Sequence, residues 1–226
     1  MKNEEILKIL KHINDPISLD SLFATIKKDR IKYNGEVAKI IKEKFIFYCI
    51  KYKLEIKHLK KITELNLSDT IGDHFELPPS IDVMVNLKKL VINNTRIVSL
   101  PESMCKLKKL ERLSLNRNQI INLPNSIGKL KNLERLSLND NQIISLPNSI
   151  GKLKKLKYLS LRNNRLSKLP STINKLTNLM VMYLDNNELE ELPFEDIGLT
   201  ELTLNGNIID TSREIKWIYG WEKPWI

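Results

Sequence analysis

Leucine recurs along this chain in a fixed pattern with a period of 23 residues. Over residues 110–193 the pattern is Leu-x-x-Leu-x-Leu-x-x-Asn-x-(Ile/Leu)-x-x-Leu-Pro, repeated about four times. Successive copies open at Leu110, Leu133, Leu156 and Leu179. A repeat of this length is typical of a solenoid, in which each unit is one small structural element stacked on the next. The repeat therefore predicts the architecture before any propensity is considered.

Weaker copies extend the array in both directions. Upstream, one unit begins at Leu87 and a looser one at Ile62; downstream, a shortened unit begins at Leu199 and ends at Ile209. Degenerate terminal units are expected, because the ends of a solenoid must meet solvent or a cap. We predict seven units over residues 61–209, flanked by an N-terminal cap region at 1–60 and a C-terminal cap at 210–226.

Each unit begins with a short alternating stretch that indicates a strand with two different faces. In the unit that opens at Leu133, the apolar Leu136 and Leu138 point to one side, and Arg135, Ser137 and Asn139 point to the other. One side of the predicted sheet is therefore core, and the other is open to partners.

An asparagine follows each strand where the chain must turn inward. Its amide carries both a donor and an acceptor, which suit backbone groups that no longer have strand partners. Buried amides must be satisfied, and the repeat supplies the partners, so we interpret these residues as structural and not catalytic. The predicted ladder consists of Asn118, Asn141, Asn164, Asn187 and Asn207.

The return segment of each unit opens with Leu-Pro and predicts a short helical or 3₁₀ turn. Proline fixes one dihedral angle and lacks an N–H group, so it ends an extended stretch and can start such a turn. One slot in this segment is Gly128 and Gly151 in two units, and Asp82, Cys105 and Asn174 in others. Gly, Asn and Asp tolerate positive φ, so this slot is a candidate left-handed position, with Cys105 as the exception.

These residues resemble the 23-residue class of leucine-rich repeat, of the Leu-Pro-x-Ser-Ile-Gly-x-Leu type found in bacterial leucine-rich-repeat proteins and in plant intracellular relatives. The motif is most specific over Leu100 to Pro193. The resemblance implies an α/β solenoid, a right-handed superhelix with a parallel sheet on its concave face and a mostly irregular or 3₁₀ convex side. It also implies use in protein recognition.

The two ends are predicted to be closed by helical caps. At the N-terminus, apolar residues fall at helical spacing up to Ile41; beyond it, Ile50 to Lys57 alternates apolar and charged, which favours a strand, with a helix through Lys60 as the alternative. At the C-terminus, a Thr-x-x-Glu spacing precedes a short helical pattern. The three tryptophans, Trp217, Trp221 and Trp225, are interpreted as a hydrophobic lid, and a partner-binding aromatic cluster is the alternative.

The positive net charge suggests nucleic-acid binding, but the distribution of the charge argues against it. The net charge is +10, from 37 basic and 27 acidic residues. The excess is spread along the chain, with 14 basic against 8 acidic residues in positions 1–60. Lysines such as Lys131 and Lys154 belong to the convex side, where they are most simply solubilising. No nucleic-acid motif is present, so nucleic-acid binding is disfavoured.

The sequence contains no pattern typical of catalysis, cofactor binding or metal binding. Its three histidines lack metal-ligand spacing, and no glycine-rich phosphate loop or nucleophile elbow is found. Cys49 and Cys105 are isolated, which fits reduced thiols. No signal peptide or membrane span is recognised, so the default expectation is a cytoplasmic protein, with leaderless export left open.

The remaining prediction is a non-enzymatic protein–protein interaction module. Its partner would bind the concave face, with no small-molecule substrate and no cofactor. Arginines and tyrosines suit protein recognition, although simple drift on a solvated face would give the same residues. The alternative is a structural protein that self-associates; a monomer or weak homo-oligomer is expected. The predicted partner-binding residues are Lys89, Arg112, Arg135, Tyr158, Arg162, Val181 and Tyr183.

Overall fold

Seven short parallel strands form a single sheet in which sequence order and spatial order are the same. The structure is a computed structural model that describes residues 46, 50, 56–68, 76–194 and 197–209. One helical turn, α1 (Ile56–Leu59), precedes the sheet. The strands are β1 (Glu64–Asn66), β2 (Lys89–Val91), β3 (Arg112–Ser114), β4 (Arg135–Ser137), β5 (Tyr158–Ser160), β6 (Val181–Tyr183) and β7 (Glu201–Thr203).

The strand register is the one that the 23-residue repeat predicts. Leu113 pairs with Leu136, and Leu136 pairs with Leu159, so equivalent residues of successive units lie side by side. The middle residue of every strand is buried, and the first residue is exposed or half-buried. Burial of this leucine column drives the stacking, because removing apolar surface from water is the main favourable term in folding. The predicted solenoid with a parallel sheet is confirmed.

Within the described residues, five 3₁₀ turns lie between β1 and β6, one in each connection between successive strands. The carbonyl of Pro147 accepts a hydrogen bond from Ile150 N at 2.9 Å, and Pro124 and Pro170 act in the same way on Ile127 and Ile173. The proline thus starts the turn without needing the N–H that it lacks. The turns are Pro79–Val83, Glu102–Lys106, Ile127–Lys129, Asn148–Lys152 and Ser171–Lys175.

The strand predicted over Ile50 to Lys57 is wrong wherever that stretch is described. Ile50 is helical, and Ile56 and Lys57 belong to α1. Ile46 and Ile50, four residues apart, both pack on the core, and Ile50 is fully buried. Residues four apart thus face the core, as in a helix, and not residues two apart, as in a strand. The sheet begins later, at Glu64.

The left-handed turn predicted at Gly128 and Gly151 is also wrong, because neither residue has a positive φ. Their role is to allow close approach: a Cβ on Gly128 would lie 2.2 Å from the carbonyl oxygen of Ser149 in the next coil, and one on Gly151 would lie 2.2 Å from that of Thr172. Most left-handed residues instead come directly before the ladder position of each unit, where the chain turns inward. These are Asn94, Arg117, Asp140, Asn163, Asn186 and Gly206, and Arg96 and Gly198 are left-handed elsewhere.

Substituting Gly128→Ala should therefore destabilise the array through overpacking, by about 1–3 kcal/mol in the free energy of unfolding. Urea unfolding followed by circular dichroism measures this difference. The matched control is Asn174→Ala, because Asn174 occupies the same slot, already carries a Cβ and loses only one exposed hydrogen bond, to Pro193 O at 3.0 Å. Equal losses in the two variants would show that close packing of coils does not require glycine here.

The predicted asparagine ladder is confirmed. The Asn141 side-chain amide donates to Leu115 O at 2.9 Å in the preceding coil and to Leu138 O at 3.0 Å in its own coil. Its carbonyl oxygen accepts from Ile120 N at 3.0 Å. Asn118, Asn164, Asn187 and Asn207 donate to the equivalent carbonyls. Each amide thus bridges two coils and satisfies backbone groups that the strands leave unpaired.

Most of the two predicted caps falls outside the described residues. This applies to the N-terminal helices before residue 46 and to the tryptophan segment at 210–226. The domain boundaries at 60/61 and 209/210 accordingly stay predictions.

Candidate functional site

The open face of the sheet, meaning the side that carries the first and third residues of each strand, forms columns of equivalent side chains. Strand pairing aligns Lys89 with Arg112, Arg112 with Arg135, and Arg135 with Tyr158. The same column continues through Val181 to Glu201. Tyr183 lies in the neighbouring column, level with Ser160 and Thr203. Six of the seven predicted site residues therefore share one face, and Arg162, which follows β5, lies over the ring of Tyr183 on that face.

A second polar ladder runs diagonally across this face. Ser114, Ser137 and Ser160 each donate their hydroxyl to an asparagine of the preceding unit, at 2.9, 2.8 and 2.6 Å respectively. The same asparagine oxygens also accept a backbone N–H from the following unit. The acceptors are Asn93, Asn116 and Asn139. These bonds satisfy the serine hydroxyls of β3 to β5 and the asparagine oxygens within the sheet itself.

The diagonal ladder is interrupted at Arg162 and Tyr183. Arg162 occupies an asparagine position and offers no acceptor, and Tyr183 stands where β3, β4, β5 and β7 have serine or threonine. Instead of a hydrogen-bonded rung, the Arg162 guanidinium lies 3.9 Å from the centre of the Tyr183 ring. This is a cation–π contact, which orients both side chains at the surface.

Asp185 holds Arg162 in this position. Its carboxylate accepts from Arg162 Nε at 2.7 Å and also from the Thr203 hydroxyl and the Asn205 amide. Burial on its own would raise the pKa of Asp185, but the hydrogen bonds from Thr203, Arg162 and Asn205 together hold it below its ordinary value. Asp185 is therefore ionised at neutral pH and compensates the charge of Arg162.

Neighbouring groups compensate the positive charges of Lys89, Arg112 and Arg135 to different degrees. Lys89, Arg112 and Arg135 on neighbouring strands repel one another unless carboxylates or other groups intervene. Lys89 forms an ion pair with Glu64 at 3.2 Å, and the Arg135 guanidinium lies 4.5 Å from the centre of the Tyr158 ring. Arg112 makes no side-chain hydrogen bond or ion pair within the part of the chain that the structure describes. Its charge is the least compensated of the column.

The two tyrosines meet edge to face. Their ring centres are 5.6 Å apart and their planes make an angle of 85°. The Tyr183 hydroxyl donates to Glu201 at 2.8 Å, and this hydrogen bond is the main reason why the pKa of Tyr183 is raised above its usual value. Half-buried Val181 is the strand neighbour of Tyr158 and completes an apolar and aromatic patch.

Asp185 and Glu201 are the residues that the site prediction omitted. A signal for Asp185 was present, because it is the sole acid in a column that otherwise reads Ser68, Asn93, Asn116, Asn139, Arg162 and Asn205. Glu201 carried no comparable signal, since the contact with Tyr183 depends on the side-chain directions.

Other chemistry on the described residues is sparse. They contain no group of three or more His, Cys, Asp or Glu residues that could hold a metal ion. Cys105 is buried, and its burial raises the pKa of the thiol, so the reactive thiolate is disfavoured. None of the helices within the described ranges is long and apolar enough to cross a bilayer.

The sequence matches the model of one protein family, described as a leucine-rich repeat region, over residues 47–142 and 135–204. These two segments together cover more than half of the chain. Among curated proteins, none matches the sequence significantly.

Solved structures with this architecture come from bacteria and plants. A leucine-rich-repeat protein of Leptospira interrogans is 29% identical, with a TM-score of 0.55 over 72% of this chain. An internalin from Listeria monocytogenes is 22% identical, with a TM-score of 0.50 over 68% of this chain, and supports the fold alone. The third is the leucine-rich-repeat ectodomain of the Arabidopsis thaliana membrane receptor kinase GASSHO1/SCHENGEN3, solved in complex with Casparian strip integrity factor 2. It is 30% identical, with a TM-score of 0.53 over 66% of this chain.

The chain spans only part of these proteins. It covers 49% of the Leptospira protein, 51% of the internalin and 19% of the plant ectodomain.

Proposed function

This chain belongs to the leucine-rich repeat family, and on that premise we propose that it is a non-enzymatic binding module whose open sheet face holds a protein partner. The observation that carries the proposal is the departure from the repeat at β5 and β6. There the self-satisfied ladder gives way to stacked Arg162 and Tyr183, next to Tyr158 and Val181. Arginine and tyrosine are enriched among the residues that dominate binding energy at protein interfaces.

The shape expected for this family suits such a role. Parallel strands joined by crossovers are right-handed in nearly all proteins, so we infer a right-handed coil with the sheet on its concave side. Seven strands at ~4.8 Å spacing give a surface on the order of 30 Å long. The helical caps predicted at residues 1–60 and 210–226 would close its two ends.

The plant ectodomain with a bound factor supports the use of this fold in recognition. It is a much longer protein, so its partner is not transferred to this chain. The feature specific to this chain is the order in which cations, aromatic rings and carboxylates follow one another along the open face.

The test measures association and dissociation separately. After a partner is captured and identified, Arg112→Glu with Arg135→Glu should slow association about tenfold at low salt and less at high salt, because rim charges act mainly on encounter. Tyr158→Ala with Tyr183→Ala should speed dissociation by about tenfold or more, because aromatic anchors mainly set the lifetime of a complex. Surface plasmon resonance resolves both rates.

The control is Lys108→Glu with Lys175→Glu, which makes the same charge change on the turn side. Both lysines are exposed. Full affinity in both open-face variants, together with loss in this control, would move the site to the turn side and end the proposal. Light scattering on the same samples separates a partner from a second copy of the chain, which is the self-association alternative.

A further inference from the structure

The three arginines of the open face are not equivalent. Arg162 is neutralised by Asp185 at 2.7 Å and lies over Tyr183. Arg135 lies over Tyr158 but has no acidic partner within the described residues. Arg112 has neither contact there. The charge available to a ligand therefore lies at β3 and β4, and not at β5.

A shallow groove lies where this free charge is concentrated. Its volume is about 250 Å³, and Lys89, Arg112, Arg135 and Tyr158 stand among its lining residues. No carboxylate lines it. The hydroxyls of Ser114 and Ser137 in its floor already donate to Asn93 and Asn116, so they do not compensate the cations. The groove is an electropositive trough with an aromatic ring at one end.

The chemistry changes in one direction along the array. Cations stand on β2 to β4, with Lys89 paired to Glu64 of β1, and the two stacked tyrosines stand on β5 and β6. At the far end Arg162 and Asp185 neutralise each other, whereas the exposed carboxylate of Glu201 forms no ion pair within the described residues. A ligand with the reverse order would place its acidic groups against Glu201, and like charges repel at close range in a protein interface.

Building on the proposed function, we propose that the open face selects an extended acidic segment of the partner that crosses the strands with one polarity. Its carboxylates lie over Lys89, Arg112 and Arg135, and an aromatic side chain packs on Tyr158 and Tyr183. Strands are ~4.8 Å apart, so β3 and β6 are separated by ~14 Å. An extended chain advances ~3.4 Å per residue, so about four residues separate the acidic and aromatic side chains.

Arg162 and Asp185 are positioning residues in this scheme. The carboxylate of Asp185 fixes the guanidinium of Arg162, which in turn supports the ring of Tyr183. Asp185→Asn restores the asparagine typical of this column and frees a cation next to the groove. Loss of positioning alone would weaken the acidic and neutral probes alike, whereas the freed cation should raise the ratio of the acidic affinity to the neutral one.

The experiment uses the full chain and short synthetic peptides as probes. The acidic probe is acetyl-Asp-Gly-Asp-Gly-Trp-amide, and the neutral control replaces both Asp residues with Asn. Heteronuclear NMR titration at low ionic strength should give an affinity about threefold to tenfold higher for the acidic probe, since exposed ion pairs are weak individually. Arg112→Gln should lower this preference, since two of the three cations remain, and Asp185→Asn should raise it about threefold.

A nitroxide label tests the polarity. Attached at the acidic end of the probe, it should broaden backbone signals of β2 more than those of β7. Attached beside the tryptophan, it should do the reverse. Equal affinity for both probes, an unchanged preference in Arg112→Gln, or label effects in the opposite order would each overturn the inference.

These outcomes are distinguishable from failure of the proposed function. If the probes show no preference while the open-face variants still weaken the captured partner, the face binds protein but does not select an acidic segment, and the inference falls alone. If the captured partner binds the open-face variants with unchanged affinity, the proposed function is wrong. The inference rests on that function and is then wrong as well.

Discussion

Leu136→Asp is expected to lower the free energy of unfolding by on the order of 5 kcal/mol, enough to unfold part or all of the array. Leu136 is fully buried in β4, between Leu113 and Leu159 of the neighbouring strands. A carboxylate there has no cation within the leucine column, and a buried, unpaired charge is among the most destabilising changes known. Thermal melting followed by circular dichroism measures the loss.

Two controls separate burial of charge from other effects. Leu136→Met should cost less than about 1.5 kcal/mol, because methionine has a similar volume and Met182 already occupies this position in β6. Asn148→Asp adds the same carboxylate at an exposed position and should be nearly neutral. If Leu136→Asp melts like Asn148→Asp, the strand register described above is incorrect.

The strand register could be predicted because covalent geometry determines it. Side chains alternate along any strand, and a fixed period places equivalent residues on neighbouring strands. Once Leu136 is assigned to the core, Arg135 must lie on the open face, and the period then aligns it with Arg112 and Tyr158. The observed pairing agrees at each of these positions.

Diagonal contacts could not be predicted in this way. From the sequence, Ser137 is simply a solvent-facing residue, whereas its hydroxyl donates to Asn116 at 2.8 Å, in a different column of the preceding unit. The contact of the Thr203 hydroxyl with Asp185 has the same origin. Such contacts depend on side-chain rotamers and on the twist of the sheet, and neither follows from the spacing of residues.

The remaining errors come from patterns that permit two explanations. Alternation from Ile50 to Lys57 fits a strand, but burial against the core selects a helix at Ile50 and at α1. Glycine is required either where φ is positive or where two backbone segments pack closely, and Gly128 is required for close packing. In both cases the deciding factor is a tertiary neighbour, which a single unit of sequence does not contain.

The same reasoning links the scaffold to the proposed site. The buried asparagine ladder bridges neighbouring coils through backbone carbonyls, so the array holds its strands in place without help from the exposed side chains. Tyr158, Arg162 and Tyr183 are thus free to differ from the repeat at little cost to stability. A rigid backbone carrying variable side chains is the arrangement that favours preorganised binding.

Asn141→Ala is expected to destabilise the protein by several kcal/mol. The change removes donors from the carbonyls of Leu115 and Leu138 and an acceptor from the Ile120 amide. The Asn141 side chain is buried, so water cannot replace these hydrogen bonds without entering the core. Each orphaned buried group costs about 1–3 kcal/mol. Chemical unfolding should show a lower midpoint.

Asn207→Ala is the matched control for this prediction. Asn207 makes the equivalent bonds to Leu184 O, Leu204 O and Leu189 N, but it is only half-buried at the last described unit. Water can reach the backbone groups that lose their hydrogen bonds in Asn207→Ala, so the loss of stability should be clearly smaller than for Asn141→Ala. Equal losses would mean that the hydrogen bonds themselves, and not their removal from water, set the strength of the ladder. A loss below about 1 kcal/mol for Asn141→Ala would instead show that the buried amides contribute little, because even one typical hydrogen bond contributes about that much.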